Sequence, residues 1–139
     1  VAGRPGLAVS LLELERDGLS YTADTLEAMA EAEPGVRLWF ILGADQLAEF
    51  PTWRAPERIL AAARLAVVAR GDVAQGDLDV LAQSVAPGRA DIVAVPLIGI
   101  SSSMIRDRIA AGQPVGHLVP RAVDQALASE GLVPSPDRR

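Results

Sequence analysis

Three short stretches of the chain gather residue types suited to a flat, phosphorylated small molecule. Ile100-Ser101-Ser102-Ser103-Met104-Ile105-Arg106 places three hydroxyls where a helix begins and an arginine one turn further in. Unpaired backbone N–H groups and the positive end of a helix dipole attract anions there, and Arg106 could complete a phosphate clamp. The plainer reading is a serine N-cap. Gly43-Ala44-Asp45 follows an apolar run, so that glycine lets the backbone approach a ligand while Asp45 offers a carboxylate to ribose hydroxyls. Asp45 acting only as the cap of the next helix is the alternative. Phe50-Pro51-Thr52-Trp53 sets an indole on a proline-punctuated loop, where it either stacks on a heterocycle or packs beneath neighbouring helices. Arg70, after a second apolar run, reads on its own as a solvated loop residue, and Trp39, within a strand, reads as core. His117 has no acidic or hydroxyl neighbour in sequence to orient it and reads as structural. Asp107 with Arg108 reads as a surface pair, and Glu13 with Glu15 as solvated positions along a strand edge.

These residues need a scaffold, and the alternation of apolar and amphipathic runs supplies one. Leu7 to Leu14 is a candidate strand. A helix is expected from Thr22, acting as its cap, to Pro34-Gly35, with Leu26, Met29 and Ala30 on the buried face. Leu38-Trp39-Phe40-Ile41-Leu42 suits a parallel strand covered on both sides. Pro56 stands at a first helical position, with Ile59, Leu60 and Ala63 following at helical spacing, and Leu65 to Ala69 gives a second strand. Asp77 caps a helix carrying Leu78, Leu81 and Val85, and Ile92 to Val95 forms a third strand. The serine-led helix runs to Gly112, and a last helix runs from about Pro120 to Glu130, before a frayed tail over residues 134–139. Strand-helix alternation with short connections implies an α/β fold, an open parallel sheet with helices on both faces. Ligands in such sheets bind beyond the carboxyl ends of the strands, where the chemistry-bearing stretches fall.

Composition narrows the function. The 139 residues carry 13 Lys+Arg against 18 Asp+Glu, a net charge of −5, and half are hydrophobic, which suits one folded domain over residues 1–139 rather than a disordered chain. An acidic balance disfavours a duplex nucleic-acid binder. With no cysteine there is no thiolate nucleophile or disulfide framework, and with one histidine there is no His-His metal pair. No carboxylate cluster with metal-ligand spacing stands out. No apolar run approaches the roughly 18–20 residues of a bilayer span, and no secretory leader pattern opens the chain, which therefore reads as cytoplasmic, without a membrane partner. Val1 in place of Met, followed by loop-like residues, reads as a start within a longer protein.

Taken together, Ser20-Tyr21-Thr22-Ala23-Asp24-Thr25-Leu26, Phe40-Ile41-Leu42-Gly43-Ala44-Asp45, Phe50-Pro51-Thr52-Trp53 and Ile100-Ser101-Ser102-Ser103-Met104-Ile105-Arg106 resemble bacterial nicotinate-nucleotide adenylyltransferases, with order and spacing matching from about Leu7 to Leu132. The resemblance implies a Rossmann-like nucleotidyltransferase fold. It also implies transfer of the adenylyl group of ATP to nicotinate mononucleotide, giving deamido-NAD and releasing pyrophosphate. On this reading Trp53 stacks on the nicotinate ring, while the backbone around Arg54 and the hydroxyl region near Thr22 hold its carboxylate. Asp45, beside Gly43, binds the adenosine or ribose portion, Arg70 lies near the adenine edge, and Ser102, Ser103 and Arg106 hold ATP phosphates. ATP and nicotinate mononucleotide are the implied partners, and homo-oligomerisation is left open. Magnesium is expected from the chemistry, since such transfer needs alignment and charge neutralisation across a polyphosphate rather than covalent work.

The departures are concentrated at the front. The family's glycine-rich GGTFDP strand exit and its HxGH motif are absent, and the single His117 cannot stand in for two transition-state imidazoles. The first strand and helix of the fold would be missing as well, on the order of 60 residues for an α/β domain of ordinary size. No proline follows Arg70, and His117 stands at a commonly aromatic position. Little turnover is expected of the chain alone. Two other readings compete. One is a nucleotide-binding remnant without transfer activity. The other is an unrelated flavodoxin-like or receiver module, against which stands the lack of acidic partners beside Asp45.

Overall fold

The apolar run after Arg37 becomes β1, Leu38–Gly43, and two further runs become β2, Ala63–Arg70, and β3, Ala90–Val95. The three pair in parallel in the order β1-β2-β3, with Leu38 opposite Ala63 and Leu65 opposite Ala90 setting the registers. Parallel neighbours require crossovers. Here α2, Ala44–Glu49, and α3, Pro56–Ala62, lie between β1 and β2, and α4, Gln75–Val85, lies between β2 and β3; α1, Thr22–Ala32, precedes the sheet. The computed structural model describes residues 4–70, 75–96 and 98–133, without the side chains of Arg70 and Gln75. The expected frayed tail at 134–139, and most of the loop after Arg70, lie outside the described residues.

Val9–Leu97 forms one compact unit, and Val1–Ala8 with Ile98–Arg139 forms a second. In the first, side chains alternate across the strands and one face gathers the core. Leu65 and Val67 of β2 are fully buried, as are Leu47 of α2, Ile59 of α3 and Ala23 of α1, with Leu26 of α1 and Ala82 of α4 buried beside them. No loop separates α3 from β2. Instead Arg89 donates to the carbonyls of Leu60, Ala61 and Ala63, where a helix carboxyl end leaves acceptors unpaired and negative. Arg58 of α3 pairs with Asp24 and Glu27 of α1, which ties those two helices and holds Glu27 below its usual carboxylate range through the Arg58 hydrogen bond. The second unit contains α5, Ser102–Ala110, and α6, Arg121–Ser129, with Val115 buried between them in sequence. Arg108 donates to the Pro114 carbonyl at 3.1 Å and fixes that connection. A Cβ on Gly116 would sit 2.7 Å from an Asp124 carboxylate oxygen, so a larger residue there would have to displace that side chain.

Several sequence expectations are corrected. Leu7 to Leu14 forms no strand; Leu14 and Glu15 donate back to the Leu11 carbonyl in a turn, and Leu7, Val9, Leu11 and Leu14 are exposed, since no neighbouring strand pairs with them. Glu13 is engaged rather than merely solvated, accepting from the Thr25 hydroxyl at 2.7 Å. Thr22 is the first residue of α1 rather than its cap, Tyr21 holding the cap position without a side-chain bond, and Met29 is exposed. Asp77 lies in the first turn of α4, not at its cap, and Ala63 opens β2 instead of continuing α3. β1 is not covered on both sides: Ile41 is 70% and Trp39 43% exposed. Trp39 therefore leaves the core, its indole N–H donating to Asp91 at 2.8 Å.

Candidate active site

At the carboxyl end of β1 the chain passes without a loop into α2, Gly43 serving as both last strand residue and N-cap. Asp45 does not cap α2; it is exposed, and its carboxylate occupies the space that a Cβ on Gly43 would need. Gly43 and Asp45 are thus interlocked, and any larger residue at 43 displaces the carboxylate. Arg70 closes β2 opposite Val95, so both strands end at the same edge of the sheet.

The loop after α2 is built to hold an indole. Phe50–Thr52 forms a 3-10 turn that closes with the Trp53 N–H donating to the Phe50 carbonyl at 3.0 Å, and the Thr52 hydroxyl donates to Glu49. Trp53 wedges edge-on against Phe40 of β1 at 5.9 Å between centroids and tilts against Phe50 at 5.6 Å, leaving the indole half-buried. Ala55 then adopts a left-handed conformation, φ 51 and ψ 58, immediately before Pro56 opens α3. That costs a residue with a Cβ on the order of 1 kcal/mol, and such local strain is typical of places where a site fixes its backbone. The reversal leaves Trp53 and Arg54 facing the start of α1.

There, Ser20, Tyr21, Thr22, Trp53, Arg54 and Ile59 line a cavity of about 200 Å³. It combines an aromatic wall, hydroxyls and a guanidinium, and none of these six residues is a carboxylate. Arg54 lies over the Tyr21 ring, 4.1 Å from its centroid. The start of α1 adds backbone N–H groups that no side chain caps. The cavity therefore suits a flat ring carrying negative charge. Thr22, Trp53 and Arg54 line this cavity together; Asp45 is not among the lining residues. Sequence reasoning gave no role to Tyr21 or Ile59. Tyr21 stood in the Ser20-Tyr21-Thr22 stretch, but its partner is 33 positions away and nothing local announces it.

A second hollow of about 310 Å³, lined by Glu27, Ala30, Glu31, Arg58, Ala61 and Ala62, is acidic, and its one arginine is committed to the α1 ion pairs. The shifted carboxylates, Glu27 and Asp91, both belong to such structural pairs: Asp91 is held down to about 2 by hydrogen bonds first from Arg64 and then from Trp39.

In the second unit Ser101 is the N-cap of α5, its hydroxyl accepting from the Met104 N–H at 3.1 Å. The cap reading thus holds for that serine. Ser102 and Ser103 occupy the first two helical positions, both exposed, and Arg106 donates to the Ser103 hydroxyl at 3.2 Å. Two hydroxyls, uncommitted first-turn N–H groups and a guanidinium form one anion-attracting end. His117 is exposed rather than packed. Among the described residues no three His, Asp or Glu side chains cluster to hold a metal ion.

Residues 6–108 match the family described as cytidylyltransferase-like. A probable nicotinate-nucleotide adenylyltransferase of Corynebacterium jeikeium is 38% identical over 136 residues, covering 94% of this chain and 68% of the relative. One of Rhodopirellula baltica is 38% identical over 137 residues, covering 95% of this chain and 64% of the relative. The chain thus spans about two thirds of the length of these relatives. Plasmodium falciparum nicotinic acid mononucleotide adenylyltransferase complexed with APC superposes with a TM-score of 0.63 at 16% identity, over 84% of this chain and 59% of that one, and shares the fold. With four sequence stretches, a parallel three-stranded sheet and these matches in agreement, the chain belongs to the cytidylyltransferase-like family and, within it, to the nicotinate-nucleotide adenylyltransferases.

Proposed function

We propose that the chain takes part in NAD synthesis by transfer of the adenylyl group of ATP to nicotinate mononucleotide, and the cavity between Trp53, Arg54 and Thr22 carries this reading. A phosphate oxygen of the mononucleotide attacks the α-phosphorus of ATP, the bond to the β-phosphate oxygen breaks, and deamido-NAD and pyrophosphate leave. Such transfer asks the protein to align reactants and neutralise charge. Trp53 stacks on the pyridine ring, with Thr22 and the backbone near Arg54 at its carboxylate. Gly43 and Asp45 take the adenosine side, Arg70 lies near the adenine edge, and Ser102, Ser103 and Arg106 hold ATP phosphates. Magnesium would enter with the polyphosphate and supply charge neutralisation; among the described residues no cluster of three His, Asp or Glu side chains stands ready to hold it. The proposed setting is cytoplasmic. Among the described residues no helix is long and apolar enough to cross a membrane.

Titration with nicotinate mononucleotide, followed by calorimetry, tests the reading. Binding is expected, weakened about 10- to 100-fold by Trp53→Ala, the usual worth of one stacked ring. No heat at millimolar ligand would end it. Because His117 is the one histidine and is exposed, the chain assayed alone with ATP, magnesium and nicotinate mononucleotide is expected to bind with little turnover. Rates ordinary for an enzyme, roughly 1–1000 per second, would contradict that.

A further inference from the structure

We propose that Arg58 is a positioning residue that acts through Asp24: by holding and neutralising that carboxylate it keeps the first turn of α1 receptive to an anionic ligand in the Trp53 cavity. This deepens the reading of the cavity as a pyridine-nucleotide site and rests on it.

Two demands meet at the start of α1. A helix N-terminus is steadied by an acidic residue in its first turn, and Asp24 supplies one. The same N-terminus walls the cavity through Tyr21 and Thr22 and offers its uncapped N–H groups to an anion. Asp24 stands two residues beyond Thr22, about 3 Å further along the helix axis, so an unpaired carboxylate there repels the ligand that the turn attracts. Asp24 and Glu27, three residues apart on one helix face, also repel each other unless a cation is shared between them. Arg58 of α3 is that cation. Its Nη2 group donates to the Asp24 carboxylate at 2.8 Å and to Glu27, and its Nε–H donates to the other Glu27 oxygen at 2.8 Å. Arg16 donates to the Asp24 carbonyl at 3.3 Å, so two arginines from different segments converge on this one residue. The residue after Arg58, Ile59, lines the cavity itself, which places the bridge beside the cavity wall. The Asp24 and Arg58 side chains are 33% and 42% exposed, so salt screens their electrostatic effect, whereas a purely mechanical tie between two helices is not removed by salt.

The test is calorimetry with nicotinate mononucleotide on the 139-residue chain and its variants, each checked by thermal melting, at about 0.02 M and about 0.5 M salt, where the screening length falls from roughly 20 Å to about 4 Å. Arg58→Met keeps the apolar stem and removes the charge. Relative to the unmodified chain its affinity is expected to fall about three- to fivefold at low salt, the size of one partly exposed charge contact, and to recover most of that ratio at high salt. Arg58→Met combined with Asp24→Asn is expected to regain most of the affinity, because the carboxylate nearest the cavity is gone. Arg58→Lys, which restores the charge, is expected to stay within about twofold of the unmodified chain. Asp24→Asn alone leaves α3 untouched and is expected to bind at least as tightly as the unmodified chain; weaker binding overturns the inference even if Arg58→Met does not fold. A loss in Arg58→Met that persists in the double variant and at high salt assigns Arg58 to mechanical bracing alone and overturns the inference, as does unchanged affinity. In each of these cases, Trp53→Ala still weakening the ligand leaves the site reading standing. Failure of the unmodified chain to bind the nucleotide defeats both proposals.

Discussion

The two faces of one sheet have opposite fates. On one, Leu65 and Val67 are wholly buried under α2, α3 and α4, and Trp53 leans on Phe40 at the margin of that core. On the other, Trp39, Ile41 and Val93 are 43%, 70% and 41% exposed, and the polar work is done by Asp91 between Arg64 and Trp39. Residues adjacent in sequence, such as Trp39 and Phe40, fall on opposite sides because a strand alternates every residue. The comparison separates two uses of an aromatic ring. Trp53 is fixed by packing and presents its remaining surface to a cavity; Trp39 is held by one hydrogen bond and a cation, Arg37, 5.5 Å from its ring.

The largest expected difference between the faces is in stability. Leu65→Ala leaves a void in a close-packed site and should cost about 2–5 kcal/mol, whereas Ile41→Ala, on the open face, should cost less than about 1 kcal/mol. Urea unfolding followed by circular dichroism measures both, and equal losses would show that the open face is covered in solution. Next come the two indoles. Trp53→Ala should lose roughly 2 kcal/mol, below the full core value because the ring is half-buried, along with the mononucleotide affinity. Trp39→Phe keeps the apolar area and removes one hydrogen bond, at about 1 kcal/mol, and should leave affinity untouched. A loss of affinity in Trp39→Phe would mean that the open face takes part in binding.

What could be read from sequence follows the range of the interactions. The serine cap of α5 is local, the Ser101 hydroxyl reaching the Met104 N–H three residues on; the Gly43-Asp45 junction is as short, but the carboxylate packs against the glycine instead of capping α2 as the alternative reading had it. Strand runs such as Leu65 to Ala69 were legible because apolar continuity suffices for a strand buried in the middle of a parallel sheet. The same rule failed for β1, where continuity suggested two covered faces; β1 lies at the edge of the sheet order, and its outer face has no apolar partner among the core residues. The failed strand at Leu7 to Leu14 has a related cause, since an apolar pattern without a pairing neighbour does not make a strand. The Tyr21–Arg54 stack and the Arg64–Asp91–Trp39 network join positions 27 to 52 residues apart, and no local pattern encodes them.

The smallest effect concerns that network and gives the sharpest test of whether the open face is organised at all. Arg64 and Trp39 both donate to the Asp91 carboxylate, which is thereby held at about 2 against an ordinary 3.8. The folded value lies below the unfolded one, so the stabilisation is complete above about pH 4 and is lost as pH falls through about 2. Because the Asp91 side chain is 44% exposed, solvent screening keeps the whole contribution to no more than about 1 kcal/mol. Comparing urea midpoints at pH 5 and pH 2.5 for the unmodified chain and Asp91→Asn isolates this group from other carboxylates that titrate in the same range. The unmodified chain should lose more stability between the two pH values than the variant does. Identical losses would mean that the network does not persist in solution and that Trp39 is held by its packing alone, which would erase the distinction between the two indoles.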